Sequence, residues 1–153
     1  MVLYRERLLV PLTWWLLGAL FVLSVVVAVG AYLGPTWGLL AGLVTLAVAG
    51  ATFAAASVVI RVEPSELVVG RARIDVRYLA GAIPLDKAAA EHRSGPGADA
   101  RAFLVMRPYV PGAVEITLDD PDDPVPYWLV SSRHAERLAS AISAAVGGKG
   151  GLH

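Results

Sequence analysis

The sequence predicts an α+β membrane protein: an N-terminal transmembrane helical hairpin followed by a small antiparallel β domain closed by a C-terminal helix. Three observations carry this. In a chain of 153 residues, no Asp, Glu, Lys, Arg or His occurs from Leu8 to Ile60. From Arg61 on, apolar and polar residues alternate, the period of half-buried strands. The final apolar stripe, Ala135, Leu138, Ala139, Ile142, Ala145 and Val146, instead repeats with helical spacing.

A bilayer core of about 30 Å needs about 20 apolar residues in a helix, so the uncharged run fits two spans and is too long for one. The break falls at Leu33-Gly34-Pro35-Thr36. Proline lacks a backbone donor, Gly34 permits an unusual backbone geometry, and Thr36 is a candidate cap for the second helix. The spans are expected near Leu8 to Leu33 and Trp37 to Ile60, with Trp14, Trp15, Tyr32 and Trp37 as interfacial rings. A cleaved signal peptide is disfavoured, because the apolar run far exceeds the usual ~7–15 residues and a second follows at once. Arg5 and Arg7 flank the first span, Arg61, Arg71, Arg73 and Arg77 follow the second, and the turn between them carries no charge. The excess of cytoplasmic Arg and Lys in membrane proteins then puts both termini on the cytoplasmic side of the membrane.

Gly38, Gly42, Gly50 and Ala54 recur at spacings of four or eight, a small-residue seam that lets another backbone approach closely. Packing against the first span through Gly18, Ser24 or Ala28 is one use of it, and docking onto another membrane protein the other. No ionisable group lies within either span, which leaves a proton relay or ion pathway without side chains.

In the remaining chain, strands are expected at Ser57 to Val62, Leu67 to Val69, Arg71 to Tyr78, Leu79 to Leu85, Phe103 to Met106, Val114 to Leu118 and Tyr127 to Val130. Asp86 caps a short helix over Lys87 to Arg93. Ser132 is a candidate cap for the closing helix, and Gly147-Gly148 ends it. Short antiparallel strands closed by one amphipathic helix have the layout of a pleckstrin-homology-like (PH-like) domain. The expected division is 1–60 for the hairpin, 61–148 for a cytoplasmic PH-like domain and 149–153 for a flexible tail.

Several segments resemble a known family. They are Tyr4-Arg5-Glu6-Arg7-Leu8 with Pro11 and Trp14-Trp15, Val69-Gly70-Arg71-Ala72, Ala102-Phe103 to Arg107-Pro108-Tyr109, and above all Pro126-Tyr127-Trp128-Leu129-Val130-Ser131-Ser132-Arg133. The resemblance is to an actinobacterial domain-of-unknown-function family, number three thousand and ninety-three, of small two-helix membrane proteins with a cytoplasmic β-rich domain. It implies architecture, and no catalytic residue, substrate or cofactor.

Composition narrows function. The chain has 13 basic and 13 acidic residues and no cysteine, so it lacks the basic field of a nucleic-acid binder, thiolate metal sites and cysteine nucleophiles. Asp119, Asp120, Asp122 and Asp123 form an acidic run that reads as a solvated turn before it reads as a cation site. His92 and His134 have no further His or Cys near them in sequence. Ser131, Ser132 and His134 fit a strand-to-helix cap better than a nucleophile with its base. Phosphate-binding glycine motifs are absent from the segment after Ile60.

The feature to follow is the basic stripe Arg61, Arg71, Arg73 and Arg77, expected either to meet anionic lipid or to pair with Asp75, Glu63 and Glu66. Tyr127 and Trp128 point to opposite faces of a regular strand, so one is expected in the core and the other, Trp128 or Tyr127, partly exposed, where it packs on the sheet before it anchors a partner. The resulting expectation is a non-enzymatic membrane protein without metal or cofactor, acting as an adaptor or accessory subunit of a membrane complex. Its partner would be another membrane protein or a second copy of the chain. The alternative is a sensor of anionic lipid headgroups, and an enzyme on membrane substrates comes third.

Overall fold

In the computed structural model, which describes residues 1–148, the chain forms two compact units. One comprises Leu9–Ser57; the other joins Met1–Leu8 to the chain from Val58 on. The tail expected at 149–153 lies outside the described residues.

The first unit is the helical hairpin, α1 (Leu12–Leu33) and α2 (Pro35–Ala56), each of 22 residues. At 1.5 Å per residue each is about 33 Å long, so both are long and apolar enough to cross a membrane. Gly34 makes the turn with φ +94°, a conformation L side chains rarely adopt. Its N–H donates to the Gly30 carbonyl and its own carbonyl accepts from Gly38 N–H. Gly34, and not Thr36, is the cap of α2, because Pro35 already occupies the first helical position, where its missing donor costs nothing.

The second unit contains two four-stranded sheets. In the first, β1 (Tyr4–Leu8), β2 (Val58–Val62), β3 (Glu66–Val69) and β4 (Ala72–Asp75) pair in sequence order, all antiparallel. Residues expected to sit ahead of the first span therefore form a strand of the β-rich unit. A 3-10 turn at Val76–Tyr78, capped by the Asp75 carboxylate, ends β4 three residues earlier than the alternation suggested.

The second sheet has the order β5 (Leu79–Leu85), β7 (Ala113–Leu118), β8 (Tyr127–Ser131), β6 (Phe103–Val105). Here β6 pairs with β8 in parallel, a departure from the all-antiparallel expectation. With β7 and β8 antiparallel and β5 on the outer side of β7, β6 takes the free edge of β8 and runs alongside it. Between β5 and β6 lies α3 (Lys87–Ser94), whose cap Asp86 accepts from Ala89 N–H at 2.8 Å. The chain closes with α4 (Ala135–Gly147). Leu138, Ala139, Ile142 and Ala145 of α4 meet Leu8, Ile60, Val62 and Leu67 of the first sheet and Val114, Ile116, Trp128 and Val130 of the second in one buried core. A smaller cluster, Ala90, Ala113, Tyr127 and Leu129, seals α3 onto the other face of the second sheet.

Candidate functional site

Because side chains alternate, the face of the first sheet turned away from the core carries Arg5 and Arg7 on β1, Val59 and Arg61 on β2, Glu66 and Val68 on β3, and Arg73 and Asp75 on β4. The register aligns these into rows. Arg7 stands opposite Val59, and Arg5 opposite Arg61, which faces Val68, which faces Arg73. Glu66 stands opposite Asp75, beside the β2–β3 turn that holds Glu63.

Charge is thus sorted along the strands. Leu8 and Val58, paired at one end of the sheet, are where the chain departs for and returns from the helices. Arg7 sits at that end, as does Arg71 in the β3–β4 turn, where Gly70 has φ +63°. Arg5, Arg61 and Arg73 follow in the middle, and Glu63, Glu66 and Asp75 occupy the far end.

The arginines are poorly neutralised. Arg5, Arg7, Arg71 and Arg73 are exposed, and their side chains have no hydrogen bond or ion pair among the described residues. Arg61 has a loose pair, 3.7 Å from Glu63, while its Nε is buried without a hydrogen-bond partner. Like charges directly opposite in an antiparallel pair repel, so the Arg5–Arg61 pairing is electrostatically unfavourable as it stands.

Two residues of the expected site fall elsewhere. Arg77 lies on the 3-10 turn, paired with Asp75 at 3.5 Å and set 4.6 Å over the Tyr78 ring. Trp128 is 7% exposed and Tyr127 4%, so neither ring is available as an exposed anchor. β8 is central and covered on both faces: Trp128 packs on Phe103 at 4.7 Å within the main core, and Tyr127 lies under Arg93, which binds Glu115 through two nitrogens at 2.6 and 3.0 Å.

The sequence profile of the DUF3093 family of proteins of unknown function matches residues 3–142, from just before β1 into α4. The chain belongs to this family. No curated protein and no solved structure matches it. The DUF3093 match includes β1, and with it the Arg5–Arg61 row.

Within the hairpin of this DUF3093 chain the small-residue seam is divided. A side chain at Gly38 would lie 2.6 Å from the Val26 carbonyl oxygen and 2.8 Å from Gly30 Cα, and one at Gly42 would overlap Val26. These two glycines make a close contact between α2 and α1, against Val26 and Gly30. Gly18 faces Phe53, whose ring meets Trp15 edge-on at 4.9 Å. Gly50 has nothing within 4 Å of a would-be side chain, and with Ala54, Trp15 and Phe53 it lines a cleft of about 320 Å³.

Several other polar groups of the family domain are hydrogen-bonded within it. Glu6, buried on β1, accepts from Ser132 Oγ at 2.6 Å, Tyr4 OH at 2.8 Å and Arg133 N–H at 2.9 Å. Ser132 Oγ in turn accepts from His134 N–H, and His134 itself is the cap residue of α4, a position the sequence suggested for Ser132. The Ser132 hydroxyl proton is directed at Glu6, not at an imidazole. Ser131 Oγ accepts from Arg107 N–H. In the acidic run, Asp120 and Asp123 carboxylates accept from the backbone N–H groups of Asp122 and Val125, turn bonds rather than a converging ligand set.

Proposed function

We propose that this chain is a membrane-anchored protein whose first sheet binds anionic lipid headgroups through Arg5, Arg7, Arg61, Arg71 and Arg73, without catalysing a reaction. The observation that carries this reading is the sorting of charge along the strands: Arg7 and Arg71 at the end joined to the helices, Arg5, Arg61 and Arg73 in the middle, and carboxylates at the far end. Residues 9–11 and Ser57 are all that separate the helices from the strands. With the helices in the bacterial plasma membrane and both termini cytoplasmic, this tether keeps the arginine rows in reach of headgroups. Each such arginine gains about 1 kcal/mol near an anionic leaflet, within a Debye length of about 8 Å. Two sheets and a closing helix, a layout we read as PH-like, support this reading.

The test is retention of native lipid. Full-length protein extracted in mild detergent should carry phosphatidylglycerol or other anionic lipid, and the combined Arg5→Gln, Arg61→Gln, Arg73→Gln variant should lose most of it. Equal lipid content in the two would contradict the reading.

A second reading, an adaptor or accessory subunit, is favoured by one observation: Gly50 and Ala54 line an open cleft that α1 does not fill. A stoichiometric membrane protein, or a second copy, in the purified material and its loss on Gly50→Leu would support that role. Its presence in both preparations at equal amount would separate it from the cleft.

A further inference from the structure

The Arg5–Arg61 pair is the most specific element of the arginine face. Opposed residues in an antiparallel pair hold their Cβ atoms about 5 Å apart, so both guanidinium groups reach one small group above the sheet. Arg61 is already short of a partner, since its Nε is buried without a hydrogen bond. Turning that side chain outward onto an anion forfeits no hydrogen bond at Nε and gains one, in the forked geometry by which arginine holds phosphate oxygens. Among the described residues only Glu63, 3.7 Å from Arg61, pairs with either arginine, while Arg7 lies two residues from Arg5 on the same face and Arg73 two strands from Arg61.

We infer that Arg5 and Arg61 together clamp a single phosphate monoester of a lipid headgroup, and prefer it to a phosphodiester. A monoester is close to a dianion at neutral pH and exposes three terminal oxygens, whereas a diester carries one charge and two free oxygens. Two opposed arginines neutralise and hydrogen-bond the former more completely. This inference rests on the headgroup-binding reading and specifies its ligand.

The experiment is native mass spectrometry of the full-length protein in neutral detergent, titrated in parallel with phosphatidate, phosphatidylglycerol and inorganic phosphate. Phosphatidate should bind about fivefold more tightly than phosphatidylglycerol, the value of roughly one further arginine contact. Arg5→Gln and Arg61→Gln should each abolish that preference while leaving weak binding of both lipids, and Arg101→Gln, outside the strands of the first sheet and paired with Asp99, should leave it intact. Equal affinity for the two lipids, or a preference that survives Arg5→Gln and Arg61→Gln, would overturn the clamp and leave the arginine face standing. Inorganic phosphate binding as tightly as phosphatidate would overturn the lipid assignment. No binding of either lipid would overturn the clamp and the headgroup reading together.

Discussion

Glu6 accepts a hydrogen bond from Ser132 at 2.6 Å, joining the first strand to the turn before the last helix across 126 residues of chain. Tyr4 OH and Arg133 N–H complete the donors around the carboxylate. Removing the carboxylate leaves these donors without it in a buried setting, so Glu6→Ala should destabilise the β-rich unit by about 3 kcal/mol. Ser132→Ala leaves Glu6 two donors and should cost about 1 kcal/mol. Thermal unfolding of the full-length protein in detergent, followed by circular dichroism in the β region, checks both.

The same node makes stability sensitive to alkali. Burial and the neighbouring Glu6 hold the Tyr4 proton, raising the phenol from 10.0 to about 12. The unfolded chain releases this proton at lower pH than the folded one does, so the stability tied to Tyr4 is intact below pH 10 and falls between 10 and about 12. Tyr4→Phe should flatten that part of the stability–pH curve relative to the parent protein. Parallel curves for the two would contradict it.

The divided glycine seam gives a paired prediction. Gly38→Ala pushes a methyl group into the α1 backbone at Val26 and Gly30, which cannot rotate away, and should destabilise the hairpin by about 1–3 kcal/mol. Gly50→Ala meets nothing within 4 Å and should be neutral, or stabilising by up to about 1 kcal/mol through helix propensity. Melting temperatures of the two variants in one detergent make the comparison.

At α3, Asp86→Ala removes the bond accepted from Ala89 N–H and should cost about 1 kcal/mol. Faster amide exchange at residues 87–90, with the rest of the domain unchanged, is the expected signature.

Much of this architecture was legible in the sequence because it follows from strong, simple patterns. The uncharged run, its Gly34-Pro35 break and the helical stripe of α4 each have one physical interpretation. The strand β1 was not legible, because its inward positions are Tyr4, Glu6 and Leu8, and a carboxylate in the middle conceals the alternation until Ser132 and Arg133 are known to satisfy it. Arg5 and Arg7 therefore read as a charged flank of a membrane span, and their union with Arg61 and Arg73 depends on a pairing between residues more than fifty positions apart. Trp128 misled for a different reason. Tyr127-Trp128-Leu129-Val130 is a continuous apolar run, the mark of a strand covered on both faces, and only the packing of α3 and α4 on opposite sides of β8 shows that both rings are inside. Arg77 left the basic face because the Asp75 cap turns the chain before it is reached.

The central claim, that the arginine face reads anionic headgroups, is tested most directly by hydrogen exchange of the full-length protein in nanodiscs of neutral phosphatidylcholine and in nanodiscs containing phosphatidylglycerol. Slower exchange in β1 and the β3–β4 turn in the anionic bilayer, lost on Arg→Gln replacement of Arg5, Arg61 and Arg73, is the predicted result. Identical exchange of these strands in both bilayers would contradict the account.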